Sequence, residues 1–422
     1  MTTPPNSTRR VLLASMAGTA IEFFDFYIFA TAAVLVFPKL FFPRSDPTAG
    51  TLQVLLTFAL AFVARPVGAA LFGHFGDRIG RKATLVAAML TMGGSTVMIG
   101  LLPTYASAGV LAPILLAVCR VGQGLGLGGE WGGAILLATE NAPAGKRGWY
   151  GMFPQLGAPV GLICSGGIFL LLSRFLSNAQ FLSFGWRIPF VSSSVLVLIG
   201  LYVRLNIAET PAFKQAVDRQ RRVAVPFLTL WRDHAVSVVL GTMMCLALFL
   251  IFYILTVFCL SWGTSKLGYS RNQFLMIQMV STVFFAATIP FSALLGDRHG
   301  RRITLILVTI AIAAFGLGFG PLFSAGPAGA VLTMILGFLL TGMAYGPLGT
   351  VLSELFPTAV RYTGSSLSFS LAGIFGGSLA PYLSTWLAIH HGLPAVGYYL
   401  DGAALLTLLA LLISRETRDT EF

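Results

Sequence analysis

Residues 76–85 read GDRIGRKATL, and residues 296–305 read GDRHGRRITL. Seven of these ten positions are identical, at an offset of 220 residues. A second pair follows in the same order. Glu140-x-x-Pro143-x-x-x-Arg147 is echoed by Glu354-x-x-Pro357-x-x-x-Arg361, at an offset of 214. Two matched pairs in one order, at nearly one spacing, mark a duplicated unit. The segments between the pairs say what that unit is made of.

Those segments are apolar. The chain has 422 residues, 56% of them hydrophobic and only 10% charged, with a mean hydropathy of +0.84. A soluble protein carries about 25% charged residues. Core burial does not explain the deficit, because a folded domain must still dress its wet surface with polar groups. Most of this surface therefore faces lipid. About 20 mostly apolar residues cross a bilayer. Twelve stretches qualify: 11–37, 51–73, 83–102, 110–139, 147–173, 186–206, 233–260, 271–296, 303–323, 327–355, 361–390 and 394–414, numbered spans 1 to 12. Pro and Gly inside them are tolerable because neighbouring helices re-satisfy the freed backbone groups. The expectation is an all-α membrane protein with twelve transmembrane helices in two parallel six-helix repeats.

Charge sets the orientation. Nineteen of the 27 Lys and Arg fall on the side of both GDR stretches and both termini, six fall opposite, and Arg65 and Arg120 lie within spans. This bias predicts both termini in the cytoplasm. Both GDR copies then face one side, so the repeats are related by an axis along the membrane normal. The units expected are residues 1–206, a linker at 207–232 containing KQAVDRQRR, and residues 233–422. The net charge of +12 gathers into no single patch, so no nucleic-acid partner is expected. Arg9-Arg10 before an apolar run resembles a signal peptide, but that run holds Glu22 and Asp25 and lacks a small-residue cleavage site. Span 1 is read as a retained helix. The four cysteines lie in apolar runs, and no H-E-x-x-H or Cys/His cluster occurs, so neither a metal, another cofactor nor enzymatic activity is expected.

Residues 120–133, RVGQGLGLGGEWGG, match G-x-G-x-x-G at Gly124, Gly126 and Gly129. A dinucleotide loop needs a strand before it and a helix after it, whereas here an apolar span surrounds it. The glycines recur at helical spacings instead: Gly122/Gly126, Gly124/Gly128/Gly132 and Gly129/Gly133. That is small-xxx-small packing, which lets span 4 approach its neighbours closely.

Charge inside the spans is the strongest functional signal, since it costs roughly 3 kcal/mol or more per group. Glu22 and Asp25 share one face of span 1, Arg65 lies on span 2, and Arg120 and Glu130 lie on span 4. On an ideal helix Arg120, Gln123 and Glu130 fall within about 80° of one another. They form a polar stripe expected to face a central cavity. Arg120 and Glu130 are separated by about 15 Å of rise, too far to pair. Contacts are therefore expected among Glu22 or Asp25, Arg120 and Arg65. A guanidinium stays charged and holds a carboxylate in bidentate fashion, so Arg120, then Arg65, would grip an anionic substrate. A carboxylate at low dielectric pays to keep its charge, so Asp25, Glu22 and Glu130 are the candidates to carry a proton. The competing reading is static ion pairs that only specify helix packing. The offset of 214 puts Met334 opposite Arg120 and Ala344 opposite Glu130. The second half would then offer neutral contacts from Tyr253, Gln278, Tyr345 and Ser368, facing Tyr27 and Gln123. Asp401 on span 12 is the exception.

Further motifs narrow the class: IEFFDFY in span 1, ARPVGAALFGHFGDRIGRK at 64–82, GWRIPF at 185–190 and ELFPTAVRYTG at 354–364. With the GDR and Gly-rich stretches, they resemble the metabolite:proton symporter branch of the major facilitator superfamily. That branch includes carriers of shikimate, 2-oxoglutarate, citrate, and proline or betaine. The resemblance implies the inner membrane of a bacterium, and alternating access by rocking of two halves. It implies a proton-coupled import of a small organic anion, such as a mono-, di- or hydroxy-carboxylate. A zwitterionic osmolyte is the second expectation, because Phe24, Phe26 and Tyr27 could cage a quaternary ammonium. A non-transporting solute sensor is the third, and the two GDR motifs argue against it. In the superfamily the loop aspartate contacts the N-terminus of span 11, where free N–H groups favour an anion. The resemblance thus implies a cytoplasmic gate of Asp77, Arg78, Arg81 and Glu140. Asp297, Arg298, Arg301, Glu354 and Arg361 would repeat it. Gly76 and Gly80 would permit the tight turn. The alternative reading of these charges is a solvated, positive-inside loop. The expected partners are a small organic solute, protons and the lipid bilayer, with the chain a monomer.

Overall fold

Backbone amides cannot stay unpaired in hydrocarbon, so apolar runs of bilayer length must become helices. The computed structural model describes residues 8–43, 47–79, 81–143, 145–205, 226–357 and 360–418. Among them, eleven helices are long and apolar enough to cross a membrane. Asn178–Gly185 and Arg187–Tyr202, bent by 43°, make a twelfth if taken as one span, span 6. The others follow the expected order: Val11–Leu35, Ala49–Phe72, Thr84–Leu101, Leu111–Thr139 and Arg147–Phe175 in the first half. The second half has Ala235–Ser265, Arg271–His299, Arg301–Phe323, Gly326–Glu354, Arg361–His391 and Leu393–Ile413. The expected linker at 207–232 lies outside the described residues up to 225, and Pro226–Asp233 is a short helix.

Besides the bent span 6, which carries a π turn at Phe181–Gly185, three further spans are irregular among the described residues. Span 4 is two helices, Leu111–Gly128 and Trp131–Thr139, separated at Gly129–Glu130. Spans 7 and 11 contain wider π turns at Ile254–Phe258 and Gly373–Ser378. Span 10, the counterpart of span 4, runs unbroken from Gly326 to Glu354.

The GDR stretches are not the loops expected. Gly76–Ile79 continues the helix of span 2, and Gly296–His299 continues span 8. In the second half Gly300 alone makes the turn, at φ +104. A side chain is strained there, and a Cβ would also sit 2.8 Å from the Glu416 carboxylate.

The glycines of span 4 pack as their spacing predicts. A Cβ on Gly124 would overlap the carbonyl of Ala61, and one on Gly128 the carbonyl of Arg65. One on Gly126 would come within 2.6 Å of the Ala88 carbonyl. Span 4 thus lies backbone against backbone on span 2, with span 3 close by. Backbone cannot yield as a side chain tip can. Gly124→Val is therefore expected to cost about 2 kcal/mol or more and lower the melting temperature in detergent by about 4 °C or more. Gly94→Ala, with nothing within 4 Å of its Cβ, is the matched control and should leave it unchanged. Equal melting of both variants would refute the close-packing account.

The halves meet chiefly along spans 5 and 8 and along spans 2 and 11. They are tied at both ends. At the end bearing the GDR stretches, the latch end, Gly148 and Trp149 of span 5 bond Asp297 of span 8. At the far end Arg271 donates to Ser173 at 3.4 Å and to Asn178 at 3.2 Å.

Candidate transport site

Three acids share one small space. Glu22 and Asp25 come from span 1, and Glu130 from the break in span 4. They line a small cavity whose other walls include Met89, Met92 and Val197. All three are only 2% exposed. Asp25 accepts a hydrogen bond from Ser193 of span 6 at 2.5 Å. The Thr96 hydroxyl of span 3 is a second, looser neighbour, and Glu130 acts on Asp25 electrostatically. Three full charges in one apolar-walled space are costly, so the cavity suits a shared proton.

Arg120 is placed otherwise than expected. Its guanidinium carbon lies 4.0 Å from the Phe29 ring centre, 4.3 Å from Phe26 and 4.8 Å from Phe58. Nη1 donates to Gln123 Oε1 at 3.0 Å, and Nε reaches the Phe58 carbonyl at 3.4 Å. Among the described residues Nη2 has no hydrogen-bond partner. The predicted contact of Arg120 with Glu22 or Asp25 is therefore absent. Aromatic faces, not a carboxylate, balance the buried charge. Glu130 lines the acidic cavity and Arg120 does not, since the break at Gly129–Glu130 ends the ideal-helix register that put them on one stripe.

Arg120 and Asp25 are instead joined through neutral groups. Gln123 Nε2 donates to Thr96 Oγ1 at 2.8 Å. In this state Thr96 donates its own proton to the Met92 carbonyl at 3.0 Å. The sequence Asp25, Thr96, Gln123, Arg120 thus spans spans 1, 3 and 4. Thr96 and Ser193 were not singled out from the sequence. Neutral hydroxyls in apolar helices carry no signal until the fold places them beside a charge.

A second cavity lies between the halves. Tyr27 and Phe23 line it from span 1, Tyr253 and Phe249 from span 7, Tyr345 from span 10 and Phe369 from span 11. Arg65 is 3% exposed and lies 5.3 Å from the Phe369 ring centre. Its electrostatic neighbours are Tyr253, Glu22, Tyr345 and Tyr27, so the expected Arg65–Glu22 proximity takes an electrostatic form without a hydrogen bond among the described residues. Gln278 is buried on span 8 outside the lining set, and its Oε1 has no hydrogen-bond partner among the described residues. Ser368 donates to the Val238 carbonyl at 3.3 Å and so serves packing.

The latch is fully drawn in the second half. Asp297 accepts from the backbone N–H groups of Gly148 and Trp149, each at 2.9 Å, at the N-terminus of span 5. Gly148 makes room, since a Cβ would lie 2.7 Å from that carboxylate. Arg301 holds Asp297 at 3.0 Å and Glu354 at 2.8 Å, and Arg147 approaches Glu354 at 3.6 Å. A carboxylate on a helix N-terminus, braced by a guanidinium, is a strong closure. Arg298 is exposed and stands apart from this network, so its expected place in the gate is not taken. Arg361 is buried and donates to the Phe356 carbonyl at 3.2 Å. The side chains of Asp77, Arg78 and Arg81, and with them the expected pairing to Glu140, lie outside the described residues. Glu416, unnoticed in the sequence, accepts from the Arg301 and Arg302 N–H groups at 3.0 Å each and caps span 9.

Two six-span repeats, closed by an ion-paired latch around a buried charged site, define a solute carrier. The chain belongs to the Major Facilitator Superfamily, whose family model matches residues 15–381. It is 55% identical to the inner membrane metabolite transport protein YhjE of Escherichia coli (strain K12), over 99% of this chain and 96% of that one. A shikimate transporter of the same organism is 36% identical, covering 97% and 95%. A proline/betaine transporter of Salmonella typhimurium is 32% identical, covering 97% and 84%. Among solved structures, the proton:xylose symporter XylE shares the fold, at a TM-score of 0.75 with 19% identity over 97% of this chain and 96% of that one. The chain is a multi-pass membrane transporter, not an enzyme.

Proposed function

We propose that the protein imports a small organic anion together with protons across a bacterial inner membrane, its latch end and both termini in the cytoplasm. The observation that carries this reading is the chain of polar groups from Asp25 through Thr96 and Gln123 to Arg120. Thr96 has one proton to give. An ionised Asp25 draws it, while a protonated Asp25 leaves it to the Met92 carbonyl. Either choice re-sets Gln123 and therefore the grip on Arg120 Nη1. A proton on Asp25 and an anion on Arg120 then favour each other through linked neutral groups. Asp25→Asn should abolish accumulation driven by a proton gradient while retaining solute exchange, measured as counterflow in proteoliposomes. Intact proton-driven accumulation in that variant would remove Asp25 from the coupling step.

Arg65, against Phe369 of the aromatic cavity, and Arg120, an electrostatic neighbour of its Tyr253, favour an anion. The aromatic lining itself supports a second reading, a quaternary ammonium zwitterion held against Tyr27, Tyr253 and Phe249. Uptake of labelled shikimate, 2-oxoglutarate and betaine, with and without a proton gradient, separates the two. Saturable binding with no uptake of any of them would identify a sensor instead.

A further inference from the structure

The break in span 4 frees a backbone carbonyl that the opposite half satisfies. Ala134 N–H bonds the Glu130 carbonyl at 3.1 Å, so the second helical segment starts there. Gly129 and Glu130 N–H bond back to Gly126 and Leu127 in a tighter turn. Among the described residues, the hydrogen bond that the Gly129 carbonyl accepts comes from Tyr362 Oη of span 11, at 2.5 Å. Around it, Trp131 stacks on Phe369 at 3.7 Å and donates Nε1 to Gln155 at 3.2 Å. A Cβ on Gly132 would overlap Ser366, and one on Gly133 would lie 3.3 Å from the Tyr362 ring. The break is thus keyed into span 11. The duplicated scaffold does not demand it, because the matching stretch of span 10 is continuous helix. The broken copy is the one that carries the acid.

We infer that Tyr362 is a positioning residue: its hydroxyl holds the span 4 break open and so fixes Glu130 beside Asp25 while the latch end is closed. This rests on the reading of Glu130 as a proton-coupling group. When the halves part at the latch end, the phenol departs with span 11. The Gly129 carbonyl then accepts Gly133 N–H, the helix closes, and Glu130 turns by about 100° per residue of re-registration, away from Asp25. Gly133 N–H is the backbone donor in register to replace the phenol, and the intrahelical bond supplies the drive. The state of the latch end is in this way passed to Glu130 through one hydrogen bond.

The titratable groups that share the cavity with Glu130 are Glu22 and Asp25 of span 1; Arg65 of span 2 and Tyr345 of span 10 are electrostatic neighbours of Glu22, and Tyr362 bonds the residue before Glu130. The cavity residues from spans 3 and 6, Met89, Met92, Gly93 and Val197, do not titrate. The test uses the full-length carrier in lipid nanodiscs, with no solute added. Tyr362→Phe keeps the ring and removes the donor. Infrared titration of the carboxyl band that Glu130→Gln removes should show its midpoint displaced by about half a pH unit or more. Hydrogen exchange in the 129–134 segment should slow by about tenfold as Gly133 N–H enters the helix. An unmoved midpoint with unchanged exchange overturns the inference. A second measurement separates it from the functional reading. Suppose the midpoint moves in Tyr362→Phe, yet Glu130→Gln retains proton-driven uptake of whichever of shikimate, 2-oxoglutarate or betaine the unaltered carrier takes. The positioning role then stands and the proton role of Glu130 falls.

Discussion

Uptake by an Arg120→Gln carrier is expected to fall about 100-fold or more, and Arg120→Lys is expected not to restore it. The guanidinium carbon lies 4.0 Å, 4.3 Å and 4.8 Å from three phenylalanine ring centres, the group bonds Gln123 and the Phe58 carbonyl, and on the proposed reading Nη2 takes the ligand. A charge-assisted hydrogen bond contributes about 1.5–3 kcal/mol, and an anion bound in bidentate fashion forfeits two, so about 3 kcal/mol or more is lost. At 1.4 kcal/mol per tenfold, that is a factor of 100 or more in binding. Lysine offers one compact, strongly hydrated charge on a flexible stem, and it cannot both fill the ring cage and present a planar fork. The check is the initial rate of labelled solute uptake, with detergent melting curves to confirm that the variant is folded. Betaine uptake indifferent to Arg120→Gln would overturn the anion assignment and favour the aromatic cage.

Asp297→Asn is expected to open the latch end. The carboxylate accepts two backbone N–H groups at the start of span 5 and balances Arg301, so its charge serves a helix dipole and an ion pair at once. An amide keeps the shape but offers one acceptor and no charge. Arg301 then keeps only Glu354 of its two carboxylates. The closed state is expected to lose about 2–3 kcal/mol relative to the open one, a shift of about 30- to 150-fold in their ratio. A cysteine introduced by Ala158→Cys, in the wall of the central cavity, reports the change. Its labelling by an impermeant maleimide from the latch side should accelerate by that factor in Asp297→Asn. Equal labelling with and without the substitution would show that Asp297 does not hold the gate.

The mechanical parts of this protein were legible in its sequence because they are local and repeated. GDRHGRR and E-x-x-P-x-x-x-R stand close enough in the chain for their motifs to name them, and Asp297, Arg301 and Glu354 meet as the resemblance implies. The glycine spacing of span 4 identified its packing face for the same reason. The turn was misplaced, since helix propagates through Gly296–Asp297–Arg298 and only Gly300 departs from it. The partner of Arg120 was misjudged on a different ground. Charge complementarity pointed to Glu22 or Asp25, whereas three aromatic faces from spans 1 and 2 reached the guanidinium first. Such packing depends on the relative rotation of whole helices, which no local pattern records. Glu130 was found as a charge but misplaced as a direction, because the helix was extrapolated through a break that Tyr362 of span 11, 232 residues further along the chain, helps to hold.

The break in span 4 and the unbroken span 10 also bear on how the two copies tolerate change. A duplicated gene starts with interchangeable parts. Here Met334 and Ala344 stand where the first copy has Arg120 and Glu130. Span 4 must satisfy packing, charge and a re-formable backbone bond with the same few residues, so nearly every substitution there meets more than one demand. Span 10 answers to packing along most of its length, with Tyr345 on the central cavity and Glu354 in the latch as its exceptions. In a saturation mutagenesis map the two helices, equal in ancestry and similar in length, should look like strangers: one nearly blank of permitted changes, the other accepting most apolar side chains of matching size.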